Sequence, residues 1–257
     1  MKIKFQTKEI HYTSEGTGET LVLLHGFLES KEIWTEFIPE FSKYGRVITI
    51  DLPGHGVSEV IDEIHSMELM AESVKTVLDH LKIEKSNFIG HSMGGYVTLA
   101  FMERYPEMSG EIMLLNSTPQ EDDEEKKTIR ERSVALAEKN KKAYVSMAIS
   151  NLLPPENQKK YQKEVNVLKE RAYNFSVKGI TAALKGMKIR TNKFETLKNY
   201  KGVKAIVAGE LDPIMNYHDI KKLANRSNCR FYGVPGGHLT YMEARQDFIN
   251  LCISSKK

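Results

Sequence analysis

The chain has 257 residues, 40% hydrophobic and 28% charged, which suits one large soluble α/β domain with room for an insertion. The net charge is only +3 and the basic residues are scattered without interleaved aromatics, which argues against nucleic acid as a partner. No run of about 18 apolar residues occurs, so no membrane insertion is expected, and two cysteines, Cys229 and Cys252, outside any metal-like spacing point to a reducing cytoplasm.

Residues 1–12 alternate apolar and polar side chains, the pattern of a strand rather than a signal peptide. Ile3–Phe5 and Ile10–Tyr12 are expected as an opening hairpin or meander, followed by a turn at Gly16 and Gly18. Leu21–Leu24 is wholly apolar, as a strand buried on both faces of a parallel sheet is, and it ends at His25-Gly26-Phe27. Ile33, Trp34, Phe37, Ile38 and Phe41 make one helix face. The next strand, Arg46–Ile50, breaks at the turn-rich stretch from Asp51 to Ser58. Met67, Met70, Val74, Val77, Leu78 and Leu81 mark an amphipathic helix. A strand ending at Asn87–Ile89 passes at once into helical period at Met93, Tyr96, Val97, Ala100 and Phe101, and Glu111–Leu115 is a further buried strand.

From about Thr118 the chain is helical in period, charge-rich and divided by Pro154-Pro155. Its charges read as solvated faces. The apolar set Met147, Ile149, Leu152, Leu153, Phe175, Ile180, Leu184 and Met187 needs something to cover, so this insertion is expected on top of the sheet, after the fifth parallel strand. Strand signals return at Val203–Ala208, followed by Gly209-Glu210-Leu211-Asp212-Pro213. A helix from about Tyr217 to Ala224, a last strand Arg230–Val234, Gly236-Gly237-His238 and a closing helix from about Tyr241 complete the chain. The alternation of strands and helices predicts an α/β fold with a doubly wound, mostly parallel sheet.

The chemistry gathers at strand ends. Gly90-His91-Ser92-Met93-Gly94-Gly95 joins a strand to a helix within a residue or two; glycines there permit close backbone approach and leave Ser92 at a strained, exposed tip. A serine hydroxyl becomes a nucleophile when an imidazole takes its proton and a carboxylate fixes the imidazole tautomer. Of the eight histidines, His238 sits in a glycine-preceded loop after the last strand, where it can reach Ser92. Asp212, biased into a loop by Pro213, supplies the carboxylate. The order Ser92, Asp212, His238 is that of a nucleophile-elbow hydrolase. The backbone N–H groups of Met93, at the helix start, and Phe27, after His25-Gly26, are the candidate oxyanion donors.

With His25-Gly26-Phe27, Asp51-Leu52-Pro53-Gly54-His55-Gly56-x-Ser58, the serine turn, Gly209-x-x-Asp212-Pro213 and Gly237-His238 all in place, the chain resembles the α/β-hydrolase fold superfamily over essentially its full length. The resemblance implies Ser92 as nucleophile, His238 as base and Asp212 as orienting acid. Residues 117–196 become a helical cap over the substrate pocket, and residues 1–116 and 197–257 the hydrolase core. It makes Asp51, His55 and Ser58 a structural turn, and His25 and His91 are read as supports for the oxyanion loop and elbow. Dehalogenases and epoxide hydrolases of this fold place aspartate at the elbow, where this chain has Ser92. Cofactor-free haloperoxidases and epoxide hydrolases carry proline where Leu28 stands, and the menaquinone-pathway lyase carries arginine where Tyr96 stands.

The expected activity is hydrolysis of carboxylic esters of small or medium, partly apolar substrates through an acyl-enzyme on Ser92, with no cofactor and no metal. The chain is expected as a monomer or homodimer. Leu28, Tyr96, Met147, Leu152, Leu153 and Met187 are the candidate substrate-binding residues. The rival readings are a lyase or carbon–carbon hydrolase using the same triad, and a low-turnover small-molecule receptor.

Overall fold

In the computed structural model, which describes residues 1–254, the chain opens with β1 (Lys2–Phe5), β2 (Lys8–Glu15) and β3 (Thr20–Leu24). The apolar face from Ile33 to Phe41 is not one helix. Lys31–Trp34 winds as a 3-10 turn and only Ile38–Phe41 is α-helical (α1). Pro39 has no N–H to donate, so it is accommodated only in a first helical turn, and the helix starts beside it. Next come β4 (Arg46–Ile50), α2 (Met67–His80), β5 (Ser86–His91), α3 (Met93–Arg104) and β6 (Ser109–Leu115). The Ser66 hydroxyl accepts the N–H of Leu69 and caps α2, whose apolar period buries Met67, Met70, Val74, Val77 and Leu78.

Between β6 and the next strand lie six helices: α4 (Glu124–Lys139), α5 (Lys141–Ser150), α6 (Pro155–Gln158), α7 (Gln162–Tyr173), α8 (Val177–Ile189) and α9 (Phe194–Asn199). The chain then forms β7 (Lys204–Gly209), α10 (Tyr217–Arg226), β8 (Arg230–Val234), α11 (Thr240–Glu243) and α12 (Arg245–Ser254).

The strands make one sheet in the order β1-β2-β4-β3-β5-β6-β7-β8. β1 with β2 and β2 with β4 are antiparallel; every other pairing is parallel. The doubly wound, mostly parallel sheet expected from the sequence is therefore present. The helical insertion leaves it after β6, the fourth strand of the parallel set and not the fifth, because β2 joins the sheet antiparallel to β4.

Register brings the chemistry to one edge. Leu24 pairs with Gly90, Gly90 with Leu114, Leu115 with Val207 and Gly209 with Val234, so β3, β5, β6, β7 and β8 all end at one level. The loops beyond carry Phe27, Ser92, Asn116, Asp212 and His238, as expected for a sheet whose ligands bind at the carboxyl ends of its strands. A continuous apolar cluster joins the core residues Val22, Phe88, Val97 and Phe101 to Ile149, Leu153, Phe175, Ile180, Leu184 and Met187 of the insertion. A second cluster, including Leu99, Ile206, Ile220 and Leu223, packs α10 and part of α3 with the sheet.

Candidate active site

Ser92 is the pivot between β5 and α3, with φ 48° and ψ −112°, a left-handed conformation that only surrounding structure can hold in a non-glycine residue. Its N–H donates to Leu115 O at 2.9 Å, and its carbonyl accepts Gly95 N–H at 2.9 Å and the Ser117 hydroxyl at 2.8 Å. The strand and helix cross so closely that a Cβ on Gly90 would stand 2.5 Å from Gly94 O, and one on Gly94 would stand 2.5 Å from Leu24 O. These two glycines are what allow the sharp turn.

Ser92 Oγ lies 2.9 Å from His238 Nε2, and His238 Nδ1 lies 2.8 Å from Asp212 Oδ2. Since a carboxylate accepts, Nδ1 carries the proton, and a neutral ring then presents Nε2 as acceptor for the serine hydroxyl. The side chains of His238 and Asp212 are 2% and 1% exposed. Asp212 is held on all sides: Oδ1 accepts the N–H groups of Ile214 and Met215, and Oδ2 also accepts Asn116 Nδ2 at 2.8 Å. Burial alone would raise its pKa, but electrostatic attraction to the His238 imidazole and hydrogen bonds from His238, Asn116 and Ile214 hold the carboxyl below its usual range.

Met93 is the first residue of α3, so its N–H has no partner within the helix. Neither it nor the Phe27 N–H makes a hydrogen bond among the described residues. His25 supports the Phe27 loop: its Nδ1 donates to Gly26 O at 2.7 Å and its Nε2 accepts Leu52 N–H at 3.0 Å. Asp51 and Ser58 close a turn, through Lys31 and Val57 bonding to the Asp51 carboxylate and the Ser58 hydroxyl donating to Asp51 O.

The six residues expected at the substrate pocket scatter. Met147 is 47% exposed on α5; periodicity marks an apolar side chain but not the neighbour it meets. Leu28, Leu153 and Met187 are 2% exposed and packed in the main apolar cluster. Tyr96 is buried under the Arg190 guanidinium, 4.1 Å from the ring centre, and Arg190 in turn pairs with Asp122 at 2.8 Å. Leu152 meets the site through its backbone, its carbonyl accepting His238 N–H at 3.1 Å.

Three residues of the site had no assigned role in the sequence. Asn116 donates to Asp212 and to Gly237 O, and accepts the Thr240 hydroxyl. Ser117 braces the Ser92 carbonyl. Glu243 Oε2 accepts Gly237 N–H at 2.8 Å and Leu239 N–H at 3.2 Å, flanking His238, while Oε1 accepts Asn157 Nδ2 of α6 at 2.7 Å. The only available signal was position at a strand end, which singles out Asn116 and Ser117 but not Glu243. Among the described residues no group of three or more His, Cys, Asp or Glu side chains is arranged to hold a metal ion, and no helix is long and apolar enough to cross a membrane.

Comparison with known proteins places this geometry in a family. The 2-hydroxy-6-oxononadienedioate/2-hydroxy-6-oxononatrienedioate hydrolase of Paraburkholderia phymatum is 42% identical over 112 residues, 41% of this chain and 39% of that one. The chain thus spans about two fifths of the length of such curated relatives. Among solved structures, a thermophilic esterase from Thermogutta terrifontis superposes with a TM-score of 0.91 at 25% identity, covering 98% of this chain and 96% of that one. An enol-lactonase from Burkholderia xenovorans gives a TM-score of 0.91 at 18% identity over 99% and 98% of the two chains, a likeness of fold alone. The family model described as alpha/beta hydrolase fold matches residues 19–244, and the chain belongs to the α/β-hydrolase fold family.

Proposed function

We propose that this chain is a serine hydrolase that cleaves carboxylic esters of small or medium, partly apolar substrates. The observation that carries the reading is the continuous hydrogen-bonded chain from Ser92 Oγ through His238 to Asp212. Ser92 Oγ attacks the ester carbonyl while His238 Nε2 takes its proton. The N–H groups of Phe27 and Met93 receive the oxyanion, each such donor contributing roughly 3 kcal/mol to the barrier reduction. Asp212 keeps the imidazole in the required tautomer and offsets its positive charge. His238 then returns the proton to the departing alkoxide, and water, deprotonated by the same imidazole, releases the acid and frees Ser92. Residues 117–196 serve as a cap, joined to the base loop by the Leu152 carbonyl on His238 N–H and by Asn157 on Glu243.

The likeness to the Thermogutta terrifontis esterase over nearly the whole chain supports the ester reading. A second reading, carbon–carbon hydrolysis with the same three side chains, is favoured by the 42% identity to the Paraburkholderia phymatum enzyme. A p-nitrophenyl ester series of increasing acyl length, run beside a 2-hydroxy-6-oxo-dienedioate substrate, separates them. Ester turnover with a length optimum, abolished in Ser92→Ala, is the expected result. Turnover of the dienedioate alone would give the second reading precedence, and ester turnover surviving in Ser92→Ala would refute the first.

A further inference from the structure

Beside Ser92 lies a pair of ionisable groups that the reaction above does not use. His91, directly before Ser92, and Glu29, in the loop after β3, have side chains only 1% and 2% exposed. His91 Nε2 lies 2.9 Å from His238 O, and His91 Nδ1 lies 2.9 Å from Glu29 Oε2. A carbonyl oxygen only accepts, so Nε2 carries a proton. The other groups on Glu29 are donors: Gly26 N–H reaches Oε2 at 2.6 Å and the Tyr241 hydroxyl reaches Oε1 at 2.9 Å. A carboxylate so surrounded accepts at both oxygens, which leaves His91 Nδ1 to donate as well.

We propose that His91 is an imidazolium paired with the Glu29 carboxylate, and that this buried ion pair is the positioning device fixing the oxyanion loop, the elbow and the base loop in one geometry. Glu29 grips Gly26, the neighbour of Phe27; His91 precedes Ser92 in the chain; and His91 holds the backbone carbonyl of His238. The charge assignment stands on these contacts alone, while the catalytic part rests on the triad reading given above. The titratable groups facing the pair are Tyr241, whose ring meets His91 edge-on at 5.1 Å, His238 at 5.3 Å, with Asp212 behind it, and His25. Burial disfavours charge on both partners, but each partner's charge outweighs it, so Glu29 stays below and His91 above its ordinary value. Such a pair matters most when broken, because the surviving charge is left without a partner in apolar surroundings.

Nitrogen-15 spectra of histidine-labelled protein read both ring nitrogens directly. Wild type is expected to show His91 protonated at both nitrogens at neutral pH, whether or not any ester is turned over. A neutral His91 tautomer at about pH 7 overturns the ion pair. This spectrum needs no substitution, so it decides the charge state even where a variant fails to fold. Glu29→Gln is expected to give a neutral His91 and a kcat lower by about a hundredfold at unchanged KM, and Glu29→Asp to recover the imidazolium and part of the rate. A neutral His91 with wild-type kcat in Glu29→Gln would overturn the positioning role and leave the triad reading intact. An imidazolium in a wild type that turns over no ester would sink the ester reading and leave the ion pair standing.

Discussion

Mild acid is expected to destabilise this protein through histidines that the fold keeps neutral. His55 and His65 are fully buried, and burial, the largest cause for each, pushes their pKa values from 6.5 down to about 3 and about 4. His65 Nε2 accepts the N–H groups of Ile61 at 3.1 Å and Asp62 at 3.4 Å, so a proton on that nitrogen would set donor against donor. Between about pH 6.5 and about pH 4 the unfolded chain binds a proton at each site and the native state does not, so stability falls as pH falls. Each site contributes a slope of about 1.4 kcal/mol per pH unit in that window. For His65, the shift from 6.5 to about 4 integrates to about 3 kcal/mol, a large part of an ordinary total stability of about 5–15 kcal/mol. His91 does not oppose this. Burial would lower its pKa, but Glu29 raises it, so the native protein already holds that proton across the window. The informative substitution is His65→Gln, whose amide oxygen can accept the same two N–H groups but does not titrate. Urea unfolding at about pH 7, 6 and 5 is expected to show a loss of stability across that range smaller than wild type's by about 2 kcal/mol. Parallel dependences in the two proteins would refute the claim that the fold holds His65 neutral.

Further expectations concern the frame of the site. Asn116→Gly keeps the backbone free to adopt its φ of 45° while deleting the carboxamide on Asp212; kcat is expected to fall roughly tenfold, and an unchanged kcat in steady-state assays would mean that Asn116 does not hold the acid. Gly90→Ala puts a methyl group 2.5 Å from Gly94 O, so strand and helix must part, and urea unfolding is expected to show a loss of at least about 3 kcal/mol; a loss within experimental error would contradict the close crossing. Glu243→Gln turns one of the acceptors shared by Gly237, Leu239 and Asn157 into a donor. Limited proteolysis is expected to cut residues 152–161 faster in that variant, and equal rates would show that Glu243 does not tie α6 to the base loop.

Much of this architecture was legible because it rests on local rules. Apolar runs at Leu21–Leu24 and, Lys204 apart, at Val203–Ala208 announced strands covered on both faces, and glycine, proline and histidine at strand ends announced the loops that carry Ser92, Asp212 and His238. The partners of Asn116, Glu29 and Glu243 were not legible. Asn116 meets Asp212 across 96 positions of chain, Glu29 meets His91 across 62 and Glu243 meets Asn157 across 86, and no short-range pattern encodes such pairings. Packing within the insertion was not legible for a related reason. Its period identified Met147, Leu153 and Met187 as apolar alike, yet packing buries Leu153 and Met187 and leaves Met147 in solvent. Leu28 and Asn116 also adopt φ values of 62° and 45°, conformations that nothing in a leucine or asparagine codon requires and that the surrounding loops impose.

The central claim is that Ser92 forms a covalent acyl-enzyme. Rapid-quench mass spectrometry during turnover of a p-nitrophenyl ester tests it most directly, with proteolysis to locate the added mass. A burst of p-nitrophenol accompanied by one acyl group on the peptide containing Ser92, absent in Ser92→Ala, is the predicted result. Sustained ester turnover with no acyl group on that peptide, in a quench proven fast enough on a known serine esterase, would contradict the account.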